Sequence, residues 1–383
     1  RTVSLRPAVT GAWRDVGGGA TLSTSGAFRA NVTGLERPDL IPAGTRTINM
    51  VKLGDALTLP DAGVGGPPVK ALVVYNSNPA AVAPELGRVR EGLRRDDLFT
   101  VVLEHFRTDT ADYADWLLPA TTQLEHWDVH TSYGHLYVTL NRPSIEPVGE
   151  SLPNSEIFRR IAARMGLRDP ELRDSDIDLI HQALDSPNPA LAAVSFDELL
   201  ERGWVRLHVP TPFLPYAEPA RFNTPTGKIQ ILAPELAHTG LDPLPGYTPP
   251  AESASADPER AARFPLMLLS PPEHPFMNST FVNIPALSKA AGPAKLLLHP
   301  NEAAVRGISD GDRVRSWNDR GDFFARAVVT DEVRPGVAVS YGVRWAALSE
   351  EGRTVNDTTS QGVTDMGGGA VFYDNAVEVE GAR

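Results

Sequence analysis

Three short polar clusters carry the residue types from which a ligand site can be built. Asn76, Ser77 and Asn78 end one apolar run, and Glu104 and His105 end another. Asn both donates and accepts hydrogen bonds while an ionised Glu only accepts, so the set suits a base edge or ribose hydroxyls better than a bare phosphate, which a lone carboxylate repels. His274, Asn278, Ser279 and Thr280 form the second cluster, in the loop 270–280. Such a loop offers hydroxyl, amide and backbone donors to ring nitrogens and phosphate oxygens without needing net positive charge. Asn356 is the third, followed by Gly367-Gly368-Gly369, which either bring backbone amides to a ligand or turn a hairpin. Binding chemistry is what these residues can do, and no catalytic residue or metal ligand is assigned. No G-x-S-x-G elbow, P-loop or G-x-G-x-x-G fingerprint is present in a strand-to-helix setting. His126 and His130 have the spacing of a helical zinc pair, but Trp127 stands where a zincin has its Glu, and the alternation after Tyr133 reads as a strand.

The elements around the first cluster are legible. Ala71-Leu72-Val73-Val74-Tyr75 is a continuous apolar run expected of a strand buried on both faces, halted by the turn chemistry of Asn76-Ser77-Asn78-Pro79. Residues 84–95 read as an amphipathic helix with Leu86, Val89 and Leu93 inward, and Phe99 to Leu103 as a second strand. Strand, helix and strand make a βαβ unit, and ligands of open parallel sheets sit beyond the carboxyl ends of the strands, where the first cluster lies. Thr108 to Asp115 supplies cap residues and a short helix, and Trp116 to Pro119 a third strand. Further helices are expected over 154–167, 175–184 and 195–202, and proline density marks 240–260 as a linker. From Pro265 the pattern becomes short strands with turns, including a hairpin about Asn318-Asp319-Arg320-Gly321, which reads as a small barrel.

A chain of 383 residues with 42% hydrophobic and 22% charged content is a globular protein of two to three domains. The net charge of −12 argues against general binding of nucleic acid or anionic membranes. No apolar run is long enough to span a bilayer and nothing at Arg1-Thr2-Val3 looks like a signal peptide, so a cytoplasmic protein is expected. The absence of cysteine removes disulfides, thiolate metal sites and iron-sulfur ligation by Cys within these residues.

The central stretch resembles the molybdopterin oxidoreductases of the dimethyl sulfoxide reductase type. A strand ending in N-x-N-P is followed, after a helix and strand, by Thr108, Thr110, Ala111, Tyr113, Ala114, Asp115, Leu118, Pro119 and Ala120 of T-x-T-A-x-Y-A-D-x-x-L-P-A, then by Glu125. Gly11 to Gly19 is similar to the family's glycine-rich segment near the cofactor, and Phe222 to Ile231 to its short connector. Asn301 to Val314, Arg320-Gly321 and Val333 to Val337 look like its terminal double-psi barrel, while Val355-Asn356 and the Tyr373-Asp374 ending resemble its last motifs.

The resemblance implies an α/β plus β fold: a parallel-sheet α/β dinucleotide-binding domain (1–168), a connector with short helices (169–263) and a C-terminal double-psi β-barrel (264–383). It further implies a molybdopterin guanine dinucleotide cofactor, two per metal, with molybdenum or tungsten. The α/β part would hold guanine nucleotide and the barrel the pterins. Asn76, Ser77, Asn78, Glu104, His105, His274, Asn278, Ser279, Thr280 and Asn356 would be the cofactor-binding residues. The metal would do the redox chemistry while protein groups fix its place. The chain would be the C-terminal portion of a longer polypeptide, inactive by itself, with N-terminal domains of the same polypeptide and an electron-transfer subunit as partners, and any iron-sulfur cluster upstream. The alternative is a non-redox scaffold that keeps the fold without the metal chemistry.

Overall fold

A computed structural model describes residues 1–20, 22–212 and 222–382; part of the expected connector, 213–221, lies outside the described residues. The chain divides into two compact units that interleave in sequence. One is built from residues 1–45 and 120–247, the other from 46–119 and 248–383. Among the described residues no helix is long and apolar enough to cross a membrane.

The second unit begins with the βαβ arrangement. Strands β1 (Ala71–Tyr75), β2 (Phe99–Glu104) and β3 (Trp116–Pro119) form a parallel sheet in the order β1-β2-β3. The helix Leu86–Leu93 buries Leu86, Val89, Gly92 and Leu93, the stripe set by their spacing, in a cluster with Leu57, Leu98 and partly buried Leu72. Val74 and Val102 pack with Ala111 on the same side of the sheet. Burial on both faces, expected for β1, holds on one face only: Val73 and Tyr75 are exposed. Apolar content marks a strand's capacity for burial, and it does not say which chain segment supplies the cover.

The other unit holds an antiparallel sheet of β4 (Asp128–His130), β5 (Tyr137–Asn141) and β6 (Trp204–Arg206). Val138, Leu140 and Val205 face a core shared with Leu184, Leu191 and Leu199 from the helices Asp176–Leu184, Pro189–Ala192 and Phe196–Arg202. Ser175 and Asp178 close a capping box on the first of these, which is why it starts where the sequence says it should. His130 sits in a strand and His126 Nδ1 lies 2.9 Å from Thr121 Oγ1, so the two imidazoles do not share a helical face.

The barrel completes the second unit. Strands β7 (Leu266–Leu269), β8 (Lys295–Leu298), β9 (Arg313–Trp317), β10 (Asp322–Val329), β11 (Val337–Val339) and β12 (Ala376–Gly381) close in the order β10-β8-β11-β7-β12-β9. Alternate residues point inward, and Leu266, Leu268, Leu296, Leu298, Val314 and Phe323 fill the interior. The β9–β10 hairpin turns on Asn318 to Gly321 as its residues require, with Asn318 N–H donating to the Gly321 carbonyl at 2.9 Å. Gly321 admits a close neighbour: a Cβ there would lie 2.8 Å from the Asp357 carbonyl oxygen.

Candidate functional site

The rim beyond β1 is tightly organised. Asn76 takes a left-handed φ of 52°, which Asn tolerates, and this turns the chain into the buried Asn78. Asn78 Oδ1 accepts from Thr110 N–H at 3.2 Å and from Thr110 Oγ1 at 2.7 Å, and Thr110 Oγ1 accepts from Ala80 N–H at 3.0 Å. The N-x-N-P and T-x-T segments thus meet through one carboxamide. Its other end is unsatisfied: Asn78 Nδ2 is buried without a hydrogen-bond partner. A buried amide donor left open costs about 1–3 kcal/mol, so a position of this kind marks a place where a ligand or water belongs. Ser77 is half-buried beside it, while Glu104 Oε1 accepts from His105 N–H at 2.8 Å and the His105 ring is exposed.

Asn356 faces this rim from the barrel portion. It sits in the turn Val355–Asp357, where Asp357 accepts from Thr354 N–H at 2.8 Å and is held by Arg90 through two bonds of 2.7 and 3.0 Å. Burial pushes the Asp357 carboxyl above its ordinary value, opposed by the Arg90 guanidinium. Asn356 Nδ2 donates to the Ala81 and Val82 carbonyls at 3.2 and 3.3 Å, so both of its N–H groups serve to fix the helix Pro79–Val82. Beside it, Gln361 Nε2 donates to Glu85 at 2.7 Å and to Asp55 at 3.1 Å. Asp109 likewise accepts from Ala346 and Ala347 N–H at 2.7 and 3.0 Å, and its burial raises its carboxyl above the usual range.

Between these elements lies a cavity of about 710 Å³. Asn278 and Asn356 line it together with Met50, Val82, Ser270 and the segment from Ala370 to Asp374. His274, Ser279 and Thr280 do not line it, nor do Asn76, Ser77, Asn78, Glu104 and His105. The loop after β7 explains the difference. Met277 and Thr280 exchange backbone bonds of 3.2 and 3.0 Å about Asn278, whose φ of 53° aims it apart from its neighbours. The Ser279 carbonyl is taken by Trp345 Nε1 at 2.7 Å, and His274 is exposed. Arg344 is held by Glu273 at 2.7 Å and by the Gly292 carbonyl at 2.8 Å, so it braces this loop. Of the glycine run, Gly368 and Gly369 N–H are spent on Thr364, closing a hairpin.

Asp374 and the chain at Thr248 and Pro250 also line this cavity, and the sequence clusters omit them. Asp374 accepts from Ala251 and Glu252 N–H at 2.6 and 2.9 Å, and Glu252 is clamped by Arg320 at 2.7 and 3.1 Å. The Tyr-Asp ending was the available signal. Among the described lining residues there is one carboxylate, Asp374, and no Lys or Arg. An uncharged heterocycle with donor and acceptor edges therefore fits this wall better than a phosphate does.

Comparison with known proteins agrees with this geometry. Residues 49–164 match the family model for molybdopterin oxidoreductase, and residues 266–376 that for the molydopterin dinucleotide binding domain. The chain is 43% identical to the probable oxidoreductase YoaE of Bacillus subtilis over 99% of its own length and 54% of that protein. It is 31% identical to the dimethyl sulfoxide reductase DmsA of Escherichia coli, over 77% of this chain and 39% of DmsA. It thus spans about half the length of the curated relatives it matches. The fold is similar to that of acetylene hydratase from Pelobacter acetylenicus, with a TM-score of 0.70 and 22% identity over 88% of this chain and 47% of that one. Sheet, barrel and both matched segments place the chain in the molybdopterin oxidoreductase family, with relatives of the dimethyl sulfoxide reductase type.

Proposed function

We propose that this chain is the cofactor-holding portion of a molybdenum oxidoreductase, binding a pyranopterin guanine dinucleotide between the β1–β2 rim and the barrel, which we take to be of the double-psi type. The observation that carries the reading, for the pterin end of the cofactor, is the 710 Å³ cavity, whose walls present Asn278, Asn356 and Ser270 but no basic side chain. The open Asn78 Nδ2 donor, on the element that Asn356 fixes, supports it. Asn278 is a candidate for a pterin edge. Asn76, Ser77, Asn78, Glu104 and His105 are candidates for the nucleoside, and His274, Ser279 and Thr280 for an outer margin of the site. Bound there, the cofactor would supply the metal at which oxygen-atom, hydride or electron transfer occurs. The protein's part is to exclude water from the heterocycle and hold it in one orientation. Because the relatives are about twice as long, catalysis is assigned to the intact gene product, and the 383 residues alone are expected to bind free cofactor weakly.

Metal analysis and cofactor extraction on the intact gene product test the reading. Molybdenum, or tungsten, with a guanine-bearing pterin is the expected result. A metal-free and pterin-free preparation from a molybdenum-replete host refutes it in favour of the scaffold.

A further inference from the structure

The barrel carries an apolar row on its outside. Side chains alternate along each strand, so with Leu268, Leu296, Leu298 and Ala338 in the interior, Leu269, Leu297 and Val339 point outward. The register sets these three side by side: Val339 pairs with Leu269 of β7 and with Leu297 of β8, and Leu297 pairs in turn with Val328 of β10. An outward row would ordinarily meet water, yet Leu297 and Val339 are buried. Val333, from the turn that precedes β11, packs on them in one cluster.

Val333 does not fill the space over the row. A cavity of about 280 Å³ remains, walled by Pro271, Tyr341 and Tyr373. It is separate from the cavity that Asn278 and Asn356 line. Where the chain leaves β7, successive residues go to opposite sides: Leu269 and Pro271 line the smaller cavity, Ser270 and Pro272 the larger, and among the described lining residues Tyr373 alone borders both. One charged group reaches the smaller cavity. Glu332 is exposed, and its carboxylate makes no ion pair or hydrogen bond among the described residues. Arg334, on the same turn, does not line the cavity, nor does any other Arg or Lys among the described residues. Tyr341 and Tyr373 are 43% and 52% exposed, and their hydroxyls are likewise without a partner among the described residues.

We infer that this outer cavity is a binding site for a small primary alkylamine in its ammonium form. The short alkyl chain lies on the row Leu269, Val339 and Leu297, and the ammonium, which has three donors and no acceptor, turns to the Glu332 carboxylate and the tyrosine hydroxyl oxygens. Other small ligands match the walls less well. An anion would meet Glu332 with no counter-charge, and a polyol would lose its water bonds against leucine and valine without replacing them. A bare hydrocarbon would take water from the carboxylate and give it no partner. Burial of the alkyl chain supplies affinity, the carboxylate supplies the choice of charge, and a net charge of −12 favours arrival of a cation.

Saturation-transfer NMR on the intact gene product tests the assignment, with n-butylammonium chloride as the probe and 1-butanol as its uncharged counterpart. The expected result is saturable binding of butylammonium with a Kd on the order of 1 mM, tighter than that of 1-butanol. Glu332→Gln should weaken butylammonium about fivefold and leave 1-butanol unchanged, and Tyr341→Leu should weaken butylammonium about threefold. Asp331→Asn removes the neighbouring exposed charge, which does not line the cavity, and should leave the butylammonium Kd as it was. Thermal melts of the three variants establish that each is folded. Absence of saturable binding, butylammonium no tighter than 1-butanol, or an Asp331→Asn loss equal to that of Glu332→Gln overturns the inference, the last because attraction would then be diffuse and not local.

Discussion

The Arg90–Asp357 pair ties the helix Leu86–Leu93 to the turn that carries Asn356, and Arg90→Met tests what the tie is worth. The two side chains are 13% and 5% exposed, and the contact is bidentate at 2.7 and 3.0 Å. Removing one partner of a buried pair leaves a charge unpaired in a poorly solvated site, at a cost of about 3–5 kcal/mol. Asp357 keeps its bond from Thr354 N–H, so we place the loss near the lower bound, about 3 kcal/mol. Burial already pushes the Asp357 carboxyl above its ordinary 3.8, and losing Arg90 raises it further. A folded-state value above the unfolded one means that the charged form carries the penalty. The destabilisation is therefore smallest in acid, grows as pH rises from the ordinary carboxylate value toward the raised folded-state value, and is constant above it. Urea denaturation near the ordinary carboxylate value, about pH 4, and at pH 8, with hydrogen exchange at residues 354–358, measures it. The double variant Arg90→Met, Asp357→Leu should recover a good part of the loss, because no charge is left stranded. A cost under about 1 kcal/mol, or the same cost at both pH values, would show that the pair is not an energetic tie between rim and barrel.

Asn78→Leu and Thr110→Val should both lower stability by about 1–3 kcal/mol, since each breaks the shared carboxamide–hydroxyl contact. Cofactor occupancy per folded molecule should fall several-fold for Asn78→Leu only, because Thr110→Val leaves the Nδ2 donor in place; equal occupancies count against Asn78 as a ligand. Glu125→Gln should flatten the acid limb of stability. Bonds from Thr122 N–H and Val148 N–H draw the Glu125 carboxyl down from 4.5 to about 2, so its contribution is present above 4.5 and lost as pH falls toward 2, and an acid titration that superimposes on the parent rejects this. Gly92→Ala would set a Cβ 2.3 Å from Leu57 Cβ and should cost about 1–3 kcal/mol in a thermal melt, whereas a neutral result would mean that the helices Leu53–Thr58 and Leu86–Leu93 part easily.

What the sequence disclosed follows from how local each signal is. Ala71–Tyr75, Phe99–Glu104, the capping box at Ser175 and the Asn318–Gly321 hairpin are set by residues within a turn or two, and they stand where periodicity and turn chemistry put them. Asn278 and Asn356 were legible as polar residues in loops, and the cavity brings those two together. Three things were not legible. Asn356 uses its amide to hold a helix 275 positions away, Asp374 braces the chain at 251–252, and one face of β1 lies open. Each depends on partners far along the chain, for which one sequence has no periodic sign.

The interleaving of the two units has a consequence for how the chain is made. Residues 46–119 leave the ribosome with their helices and strands specified, yet Arg90 must wait for Asp357 and Asp55 for Gln361, after the whole of 120–247 has been synthesised. Closing so long a loop costs entropy that grows only logarithmically, about 0.6 kcal/mol per doubling, so the delay bears on time more than on final stability. During that interval Asp55, Arg90 and Asp109 of the early segment are all without their late-arriving partners Gln361, Asp357 and Ala346. The nascent α/β segment is thus the stretch on which a holding chaperone would act, and slowed elongation through 248–383 should show up as aggregation of the early half.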